Sequence, residues 1–493
     1  MRLKRNKTSY DLNFLLIIIN IFICIVGLYF YFIFGDNKYI DIFTLFLLFI
    51  LAIENIFMLS FEKRKRDPFV LLMVTIVTIF YMGRILTFMY NPYSPALDKN
   101  QYFTSFDLNY SLTFIILSNA SIFLGLNAAK GRILYKEAMP SSQHNTKHRN
   151  IIILLLIAII ITFSNILPTE ILGRVASYIQ TFFINCYLIL LFTFVYIAIN
   201  YKNIKPTYRT ILLFLIIIFV LFNTLAGNRS GILTLAVFLM IASLSFKGTV
   251  ILNKKAILIA TILIPISIIL FYIATYIRQI SANRGIVSTQ QLAIIKESNI
   301  FDTEYNDYLN RTMFFRLGFL DPAADVIKNK ERYSRIINIV YYFKSIIDNV
   351  LTPGFNVFDT PKVANSLRYI YRDLDLPKHE DIMAAYNSDM LTIYGEYYVL
   401  FGGYFALIIF FIISYIFKTI YLSVKSKDIF LFYLYRALIL FIFYSWLNSF
   451  GLDWMMFDII SIFITVFLFK NFYRSRQVLF ATKEPLQPSS ASR

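Results

Sequence analysis

Long apolar runs recur along the chain and are separated by short polar stretches. Many of them reach the roughly 18–20 residues that a helix needs to cross a hydrocarbon core about 30 Å thick. They do not alternate between apolar and polar positions as the strands of a membrane barrel do. The pattern predicts an all-α polytopic integral membrane protein with about twelve transmembrane helices, at residues 12–34, 40–60, 69–90, 108–127, 150–167, 178–199, 210–226, 231–246, 256–277, 392–417, 429–448 and 454–470.

The composition excludes most other classes of protein. Of the 493 residues, 58% are hydrophobic and 15% are charged, whereas soluble globular chains average about 45–50% and about 25%. A soluble enzyme and a disordered chain are therefore excluded. The two cysteines, Cys24 and Cys186, both lie within apolar runs, so neither a disulfide framework nor a thiolate metal site is expected.

The distribution of positive charge predicts the orientation in the membrane. Lysine and arginine are concentrated in alternate loops, and the short loops between them hold only Lys38, Lys99, Arg174 and Arg229. Loops rich in Lys and Arg stay in the cytoplasm, so both termini are expected there. The formal net charge of +18 is thus explained by orientation, and no nucleic-acid partner is expected.

One long segment interrupts the regular alternation of spans and short loops. Residues 1–277 carry spans one to nine, residues 278–391 form a large external loop, and residues 392–475 carry spans ten to twelve, followed by a disordered cytoplasmic tail, 476–493. Long ordered loops are commonly functional. Within this loop, apolar side chains at helical spacing over 332–350 predict a helix that lies at the outer membrane interface or packs over the spans.

Two groups of arginines are candidates for binding an anion on the external side. Asn228 and Arg229 lie between two glycines at the start of a span, where the backbone permits close approach of a ligand; the alternative is a short hairpin with a snorkelling arginine. The second group lies at the start of the external loop, at the depth where a lipid-linked pyrophosphate presents its charge. It consists of Arg278, Arg284, Arg311 and Arg316, which could instead anchor the interface and pair with nearby acids.

The end of the external loop carries the candidates for a general base. Deprotonation of a sugar hydroxyl needs a carboxylate or an imidazole, and His379, Asp381 and Glu396 lie in this region beside polar residues of the motifs Tyr386-Asn387 and Tyr394-Gly395-Glu396-Tyr397. Glu396 is the strongest candidate because it lies within a turn or two of the membrane surface, where an unpaired carboxylate is costly. Its alternative role is an ion pair with Arg84, which lies toward the outer end of span three.

Several signatures of other chemistry do not occur in the sequence. It contains no phosphate loop, no cytoplasmic segment long enough to bind a nucleotide, and no histidine spacing typical of zinc sites. We therefore expect no metal and no other cofactor, and we expect arginine to bind the anionic groups.

Three short motifs, together with the large external loop, resemble the Wzy-type O-antigen and oligosaccharide repeat-unit polymerases. They are Gly227-Asn228-Arg229-Ser230-Gly231, Tyr394-Gly395-Glu396-Tyr397 and Phe401-Gly402-Gly403. Related ligases carry a His-Asn pair shortly before the span that follows the loop, and the matching position here is Tyr386-Asn387. This departure favours a polymerase over a ligase.

The resemblance implies a GT-C-like fold and a metal-independent glycosyltransferase of the bacterial inner membrane, with its active site facing the periplasm. Such enzymes transfer a growing glycan from undecaprenyl pyrophosphate onto the non-reducing end of a lipid-linked repeat unit. Both the donor and the acceptor are then undecaprenyl-pyrophosphate-linked oligosaccharides, and a flippase and a chain-length regulator are expected partners. O-antigen ligase and lipid-linked oligosaccharide flippase are the alternatives, although a flippase has no need of so long an external loop.

Each candidate residue receives a role in that reaction. Arginines placed on a leaving pyrophosphate stabilise the charge that develops in the transition state. The expected pyrophosphate ligands are Arg229, Arg278, Arg284 and Arg84. Glu396 is expected to activate the acceptor hydroxyl, with His379 or Asp381 as substitutes. The expected substrate contacts are Asn228, Arg311, Arg316, Tyr386, Asn387 and Tyr394.

Overall fold

The structure is a computed structural model of the chain. It describes residues 9–62, 67–90, 104–129, 151–153, 155–157, 159–160, 187–200, 204–225, 231–248, 250–253, 266, 269–270, 273, 318–351, 357–371, 392–426, 428–448 and 451–481.

The described residues are predominantly helical. The first group of helices is α1 (Leu12–Phe34), α2 (Ile42–Glu62), α3 (Pro68–Tyr90), α4 (Ser105–Ala128), α5 (Tyr187–Asn200), α6 (Pro206–Leu225) and α7 (Gly231–Lys247). The second group is α8 (Leu320–Lys328), α9 (Lys330–Tyr333), α10 (Ile339–Ile346), α11 (Val363–Tyr371), α12 (Ile393–Leu400), α13 (Ala406–Ser423), α14 (Ile429–Leu447) and α15 (Leu452–Ala481). Two short strands, β1 (Ser9–Asp11) and β2 (Ile251–Asn253), pair antiparallel.

Six helices are long and apolar enough to cross a membrane, namely α1, α2, α3, α4, α13 and α14. Shorter apolar helices lie within α5, α6 and α7. Many of their large apolar side chains point outward, as lipid-facing surfaces require, while a continuous apolar core lies between the helices. The chain is therefore a helical membrane-embedded protein. The predicted spans 150–167 and 256–277 lie largely outside the described residues.

Hydrogen bonds and ion pairs divide the loops into two groups, one at each end of the bundle. At one end, which we call the Asp67 end, Asp67 caps the start of α3 and forms a buried ion pair with Lys418 of α13. At the other, the Arg84 end, the side chain of Asn109 near the start of α4 donates to Asp41, which precedes α2. Consecutive long helices thus run antiparallel between the two ends.

The long helices α4 and α13 cross in close contact. A Cβ built on Gly125 would lie 2.1 Å from Ser414 Oγ and 2.3 Å from the carbonyl oxygen of Phe411, and Ser121 Oγ donates to the carbonyl oxygen of Leu407. Small residues permit such close packing where lipid supplies no hydrophobic drive for association. Gly125 is the residue that fixes this crossing.

The predicted span 392–417 is two helices, and α12 runs toward the Arg84 end while α13 runs away from it. The reversal takes place at Gly402 and Gly403, which have φ of +78° and +89°. The rings of Tyr397 and Phe410 stack with centroids 5.0 Å apart. A continuous helix would separate two residues thirteen positions apart by about 20 Å, so the chain folds back on itself here.

Helix α8, from the segment predicted to be an external loop, also begins inside the bundle. Phe319, the residue before α8, stacks on Phe80 midway along α3 with ring centroids 4.4 Å apart. Its N–H donates to the carbonyl oxygen of Phe80 over 3.2 Å. That carbonyl lies in a π-helical segment, Val77–Met82, where the usual helical hydrogen bonds are displaced. The π segment is therefore the site at which α8 docks, and α8 and α12 are half-helices that start within the bundle.

The predicted helix 332–350 is shorter than expected. Asn338 caps α10 by accepting a hydrogen bond from the N–H of Tyr341, so the helix begins only at Ile339. The apolar side chains of Ile339, Val340 and Phe343 are exposed. At the other end of the chain, α15 continues to Ala481, into the segment predicted to be a disordered tail.

Candidate functional site

The Arg84 end of the bundle contains a buried ion pair that holds α8 against α3. The guanidinium of Arg84 donates through Nε and Nη2 to the two carboxylate oxygens of Asp321, over 3.3 and 3.0 Å. Both side chains are almost fully buried, at 3% and 0% exposure. Gly318 packs directly on the Arg84 side chain, where a Cβ would come within 2.5 Å of Cδ. The guanidinium also lies over the ring of Phe88. Its carboxylate partner in the described chain is thus Asp321.

Glu396 joins three elements at the same end. It lies in the first turn of α12 and is fully buried. Its carboxylate accepts hydrogen bonds from the hydroxyl of Tyr342 in α10 and from the N–H of Leu452 at the start of α15, the latter over 2.7 Å. Acidic side chains are favoured near helix N-termini, which explains the position of Glu396 relative to α15. In this conformation the carboxylate positions α10, α12 and α15.

A second buried carboxylate, Asp453, lies one residue further along α15. It accepts from the Ser345 hydroxyl over 2.7 Å and from the N–H of Val363 over 2.8 Å. Asp453 thereby ties α10 and α11, which both belong to the predicted external loop, to the start of α15.

Lys362, which precedes α11, lies beside this carboxylate. Its ammonium group is 4.0 Å from the ring centroid of Trp454 and 4.6 Å from that of Phe457. Burial lowers the pKa of Lys362, and the carboxylates of Asp453 and Asp458 oppose that change.

The outer part of α8 carries a third acidic group, Asp325. The hydroxyl of Tyr333 and the amide of Asn329 donate to its carboxylate. Burial nevertheless raises the pKa of Asp325 to about 6, because these hydrogen bonds only partly offset the loss of water. Further along, Lys328 pairs with Asp107 near the start of α4 over 2.8 Å, with both side chains partly exposed.

Tyr394, predicted to contact substrate, lies deeper in the bundle. Its hydroxyl donates to Asn119 Oδ1 in α4 over 2.5 Å, and its ring meets Tyr81 and Phe410 edge-on or tilted. The side chain is 1% exposed. Since Gly395 beside it packs on Val326 of α8, α8 and α12 contact each other as they run toward the Arg84 end.

The structure therefore brings together three of the residues predicted from the sequence. Arg84, Glu396 and Tyr394 all lie on or against the paired half-helices α8 and α12. The remaining predicted site residues lie outside the described part of the chain: Arg229, Arg278, Arg284, Asn228, Arg311, Arg316, His379, Asp381, Tyr386 and Asn387.

Sequence reasoning missed Asp321 and Tyr342, the partners of Arg84 and Glu396. Neither lies near its partner in the chain, and Asp321 is 237 positions from Arg84, so no spacing pattern reveals the contact. The available signal was the requirement that a membrane-buried arginine be paired, together with the acidic start of the segment Leu320-Asp321-Pro322.

Comparisons with known protein families, curated proteins and solved structures find no match for this chain.

Proposed function

We propose that the chain is a membrane glycosyltransferase of the O-antigen polymerase type. In this proposal it transfers a growing glycan from undecaprenyl pyrophosphate onto the non-reducing end of a lipid-linked repeat unit, at the Arg84 end of the bundle. The observation that carries the proposal is the anchoring of residues 318–351 and 357–371 in the bundle through the buried acids Asp321, Glu396 and Asp453. A transporter of lipid-linked sugars gains nothing from such a rigid structure at one face, whereas an enzyme needs one to orient two substrates.

The proposed location is a bacterial inner membrane, with both termini in the cytoplasm and the Arg84 end in the periplasm. The pattern of contacts supports the division of the residues into two sides, on which this orientation depends. Residues that the charge pattern places on the cytoplasmic side contact one another, as Asp67 and Lys418 do. Residues that it places outside also contact one another, as Lys328 and Asp107 do.

The proposed roles of the arginines follow from the charge of the leaving group. Arg229, Arg278 and Arg284 would bind the pyrophosphates and stabilise the negative charge that develops as the glycosyl bond breaks. Arg84 is committed to Asp321 in this conformation. We therefore propose that it acts on the pyrophosphate indirectly, by positioning α8.

The proposed role of Glu396 is also to position other groups. A general base must come within hydrogen-bond reach of the hydroxyl that it deprotonates, and the Glu396 carboxylate is fully buried between Tyr342 and Leu452. We propose that it fixes the geometry of the site and that His379 or Asp381 removes the proton from the acceptor.

The proposal is tested by elongation of a lipid-linked oligosaccharide with purified full-length protein in detergent. A ladder of products longer than the input supports the polymerase. If no repeat-unit acceptor is elongated, the polymerase proposal is wrong and the flippase is the remaining alternative. Transfer only to a lipid A core acceptor indicates the ligase.

Substitution of Arg229 tests the anion site in cells that make the polymer. Loss of one preorganised charge donor costs about 10²–10³ in rate, so Arg229→Ala should abolish polymer while single repeat units still reach the cell surface. Arg174→Ala, in another loop predicted to be external, is the matched control and should keep normal chain length. Normal polymer from Arg229→Ala would remove Arg229 from the mechanism.

A further inference from the structure

One polar network inside the bundle shows how the helices ordinarily satisfy their buried groups. The amide of Asn20 donates to the carbonyl oxygen of Leu16 over 2.8 Å and to Thr78 Oγ1 over 3.0 Å, and the amide of Asn55 donates to Asn20 Oδ1 over 2.9 Å. All three polar side chains are buried. The protein itself supplies every partner in this chain of bonds.

A second polar cluster, around Tyr394, differs in this respect. Within the described residues, Asn119 Nδ2, the hydroxyl of Tyr81 and both carboxyl oxygens of Glu54 are buried and have no hydrogen-bond partner. Asn119 and Tyr81 are 1% and 0% exposed. Buried polar atoms without partners are rare, because each costs about 1–3 kcal/mol.

These groups lie close to one another because each of them is a neighbour of Tyr394. The hydroxyl of Tyr394 donates to the oxygen of the same Asn119 amide whose nitrogen lacks a partner. The rings of Tyr81 and Tyr394 are 5.3 Å apart, and the carboxyl group of Glu54 acts electrostatically on Tyr394. Polar residues of α3 and α4 therefore contact Tyr394 in the first turn of α12, and Glu54 of α2 interacts with it electrostatically.

The start of α12 adds donors of its own. The first N–H groups of a helix have no partner within the helix, and here they point into the bundle because α12 begins there. The cap is weak: the hydroxyl of Thr392 accepts from the N–H of Gly395 over 3.5 Å. The hydroxyl of Tyr81 lies beside Thr392, so it is directed at this helix terminus.

We propose that the cluster of Glu54, Tyr81, Asn119 and Tyr394 is a binding site for ordered water beneath the inner end of α12. Water is the ligand that fits, because the groups to be satisfied include amide donors, hydroxyls that both donate and accept, and a carboxyl group. A buried water makes about three such bonds. An anion would suit the helix terminus but not the carboxyl group of Glu54, and a cation would suit the carboxyl group but not the helix terminus.

The consequence is that the inner end of α12 is solvated although it lies within the bundle. Water at this position satisfies the first N–H groups of α12, for which the described residues provide only the weak cap by Thr392. The site does not depend on the proposed glycosyl transfer, since it rests only on contacts among α2, α3, α4 and α12.

Hydroxyl-radical footprinting of the full-length protein in lipid nanodiscs tests the site directly. Radiolysis of bound water oxidises the side chains that touch it. Tyr81 and Tyr394 should therefore be modified at least about tenfold faster than equally buried side chains that touch no water. Phe69 and Phe443 are equally buried and pack edge-on with ring centroids 4.9 Å apart. They are the internal control and should stay unmodified.

Asn119→Leu is the informative variant. Removal of the amide should expel water and reduce modification of Tyr394 several-fold. Asn55→Leu, which alters the satisfied network, is the matched control and should leave the modification of Tyr394 unchanged. If Tyr81 and Tyr394 of the protein without substitutions are oxidised no faster than Phe69 and Phe443, the site is dry and the proposal is wrong. This outcome is independent of the elongation assay.

Discussion

The long helices and the two half-helices are held in place by different forces. The α4–α13 crossing relies on close contact of small residues, with Gly125 against Phe411 and Ser414. The half-helix α8 relies instead on a buried ion pair with Arg84. A long apolar helix is stable in lipid before it packs, whereas a half-helix exposes polar termini and needs specific partners. Buried charge is not confined to the half-helices, because Asp67 and Lys418 also pair between α3 and α13; the half-helix α8 differs in that it has no spanning apolar length of its own and depends on its ion pair.

The largest expected effect concerns the ion pair. Asp321→Ala removes the carboxylate that the structure places on the buried Arg84 side chain, which should cost about 3–5 kcal/mol and release α8. Hydrogen exchange at residues 319–328 should then become rapid, and the melting temperature should fall. Lys328→Ala removes a partly exposed pair with Asp107, worth at most about 1 kcal/mol, and serves as the control. If Asp321→Ala and Lys328→Ala lower the melting temperature equally, the buried ion pair does not hold α8 in place.

The next effect concerns the long helices. Gly125→Ala places a Cβ where Ser414 Oγ and a backbone carbonyl already lie. The overpacking should cost about 3 kcal/mol, measured as loss of thermal stability in detergent. The control is Gly83→Ala, whose Cβ would lie 3.8 Å from its nearest neighbour. A stable Gly125→Ala protein would show that the crossing is looser than the structure indicates.

A smaller effect separates positioning from catalysis at Glu396. Glu396→Gln keeps an oxygen that can accept from Tyr342 and Leu452, so we expect a loss of about 2 kcal/mol and elongation within about tenfold of the unmodified protein. Asp381→Asn or His379→Ala should reduce elongation by 10² or more, since general bases contribute about 10²–10⁴. An inactive but stable Glu396→Gln protein would make Glu396 the base after all.

The acidic group of α8 predicts a pH dependence. The pKa of Asp325 in the folded protein is about 6, above the value of about 3.9 for an unfolded chain, so the folded state binds the proton more tightly. The stabilising contribution is present below pH 4 and is lost as the pH rises through 6. Between pH 5 and pH 8 the protein should lose about 1.4 kcal/mol relative to Asp325→Asn. If the difference in the free energy of unfolding between the two proteins is the same at pH 5 and pH 8, this prediction is wrong.

The smallest expected effect concerns α10, for which we predict contact with lipid at the outer interface. A fluorophore on Phe343→Cys, in a protein lacking Cys24 and Cys186, should be quenched by nitroxide-labelled lipid. Ser334, exposed in the preceding turn, is the control position and should be quenched by aqueous iodide instead. Quenching of the Phe343 probe by iodide alone would place α10 in water.

The sequence predicts the long helices well and the half-helices poorly. Apolar length alone locates α1 to α4 and α14, because a span of lipid imposes that length. It fails at α12, since α12 and α13 form one apolar stretch of spanning length, although the pair Gly402-Gly403 is a turn signal. It fails at α8 because docking depends on the π segment of α3 and on Asp321, and neither has a local pattern. Of the candidate site, Arg84 and Glu396 were predicted as buried charges, but their partners come from distant parts of the chain.

The central structural claim is that α8 begins inside the bundle, against the π segment of α3. Cysteines at Phe80 and Phe319, in a protein lacking Cys24 and Cys186, test it in native membranes. The two residues lie side by side, with a backbone hydrogen bond of 3.2 Å and rings stacked at 4.4 Å, and a disulfide needs such neighbouring side chains. Mild oxidation should link the pair nearly completely. The control pair is Thr44 and Asn109, whose side chains share a hydrogen bond of 2.6 Å. If cysteines at these two positions link and those at Phe80 and Phe319 do not, α8 lies outside the bundle and the account is wrong.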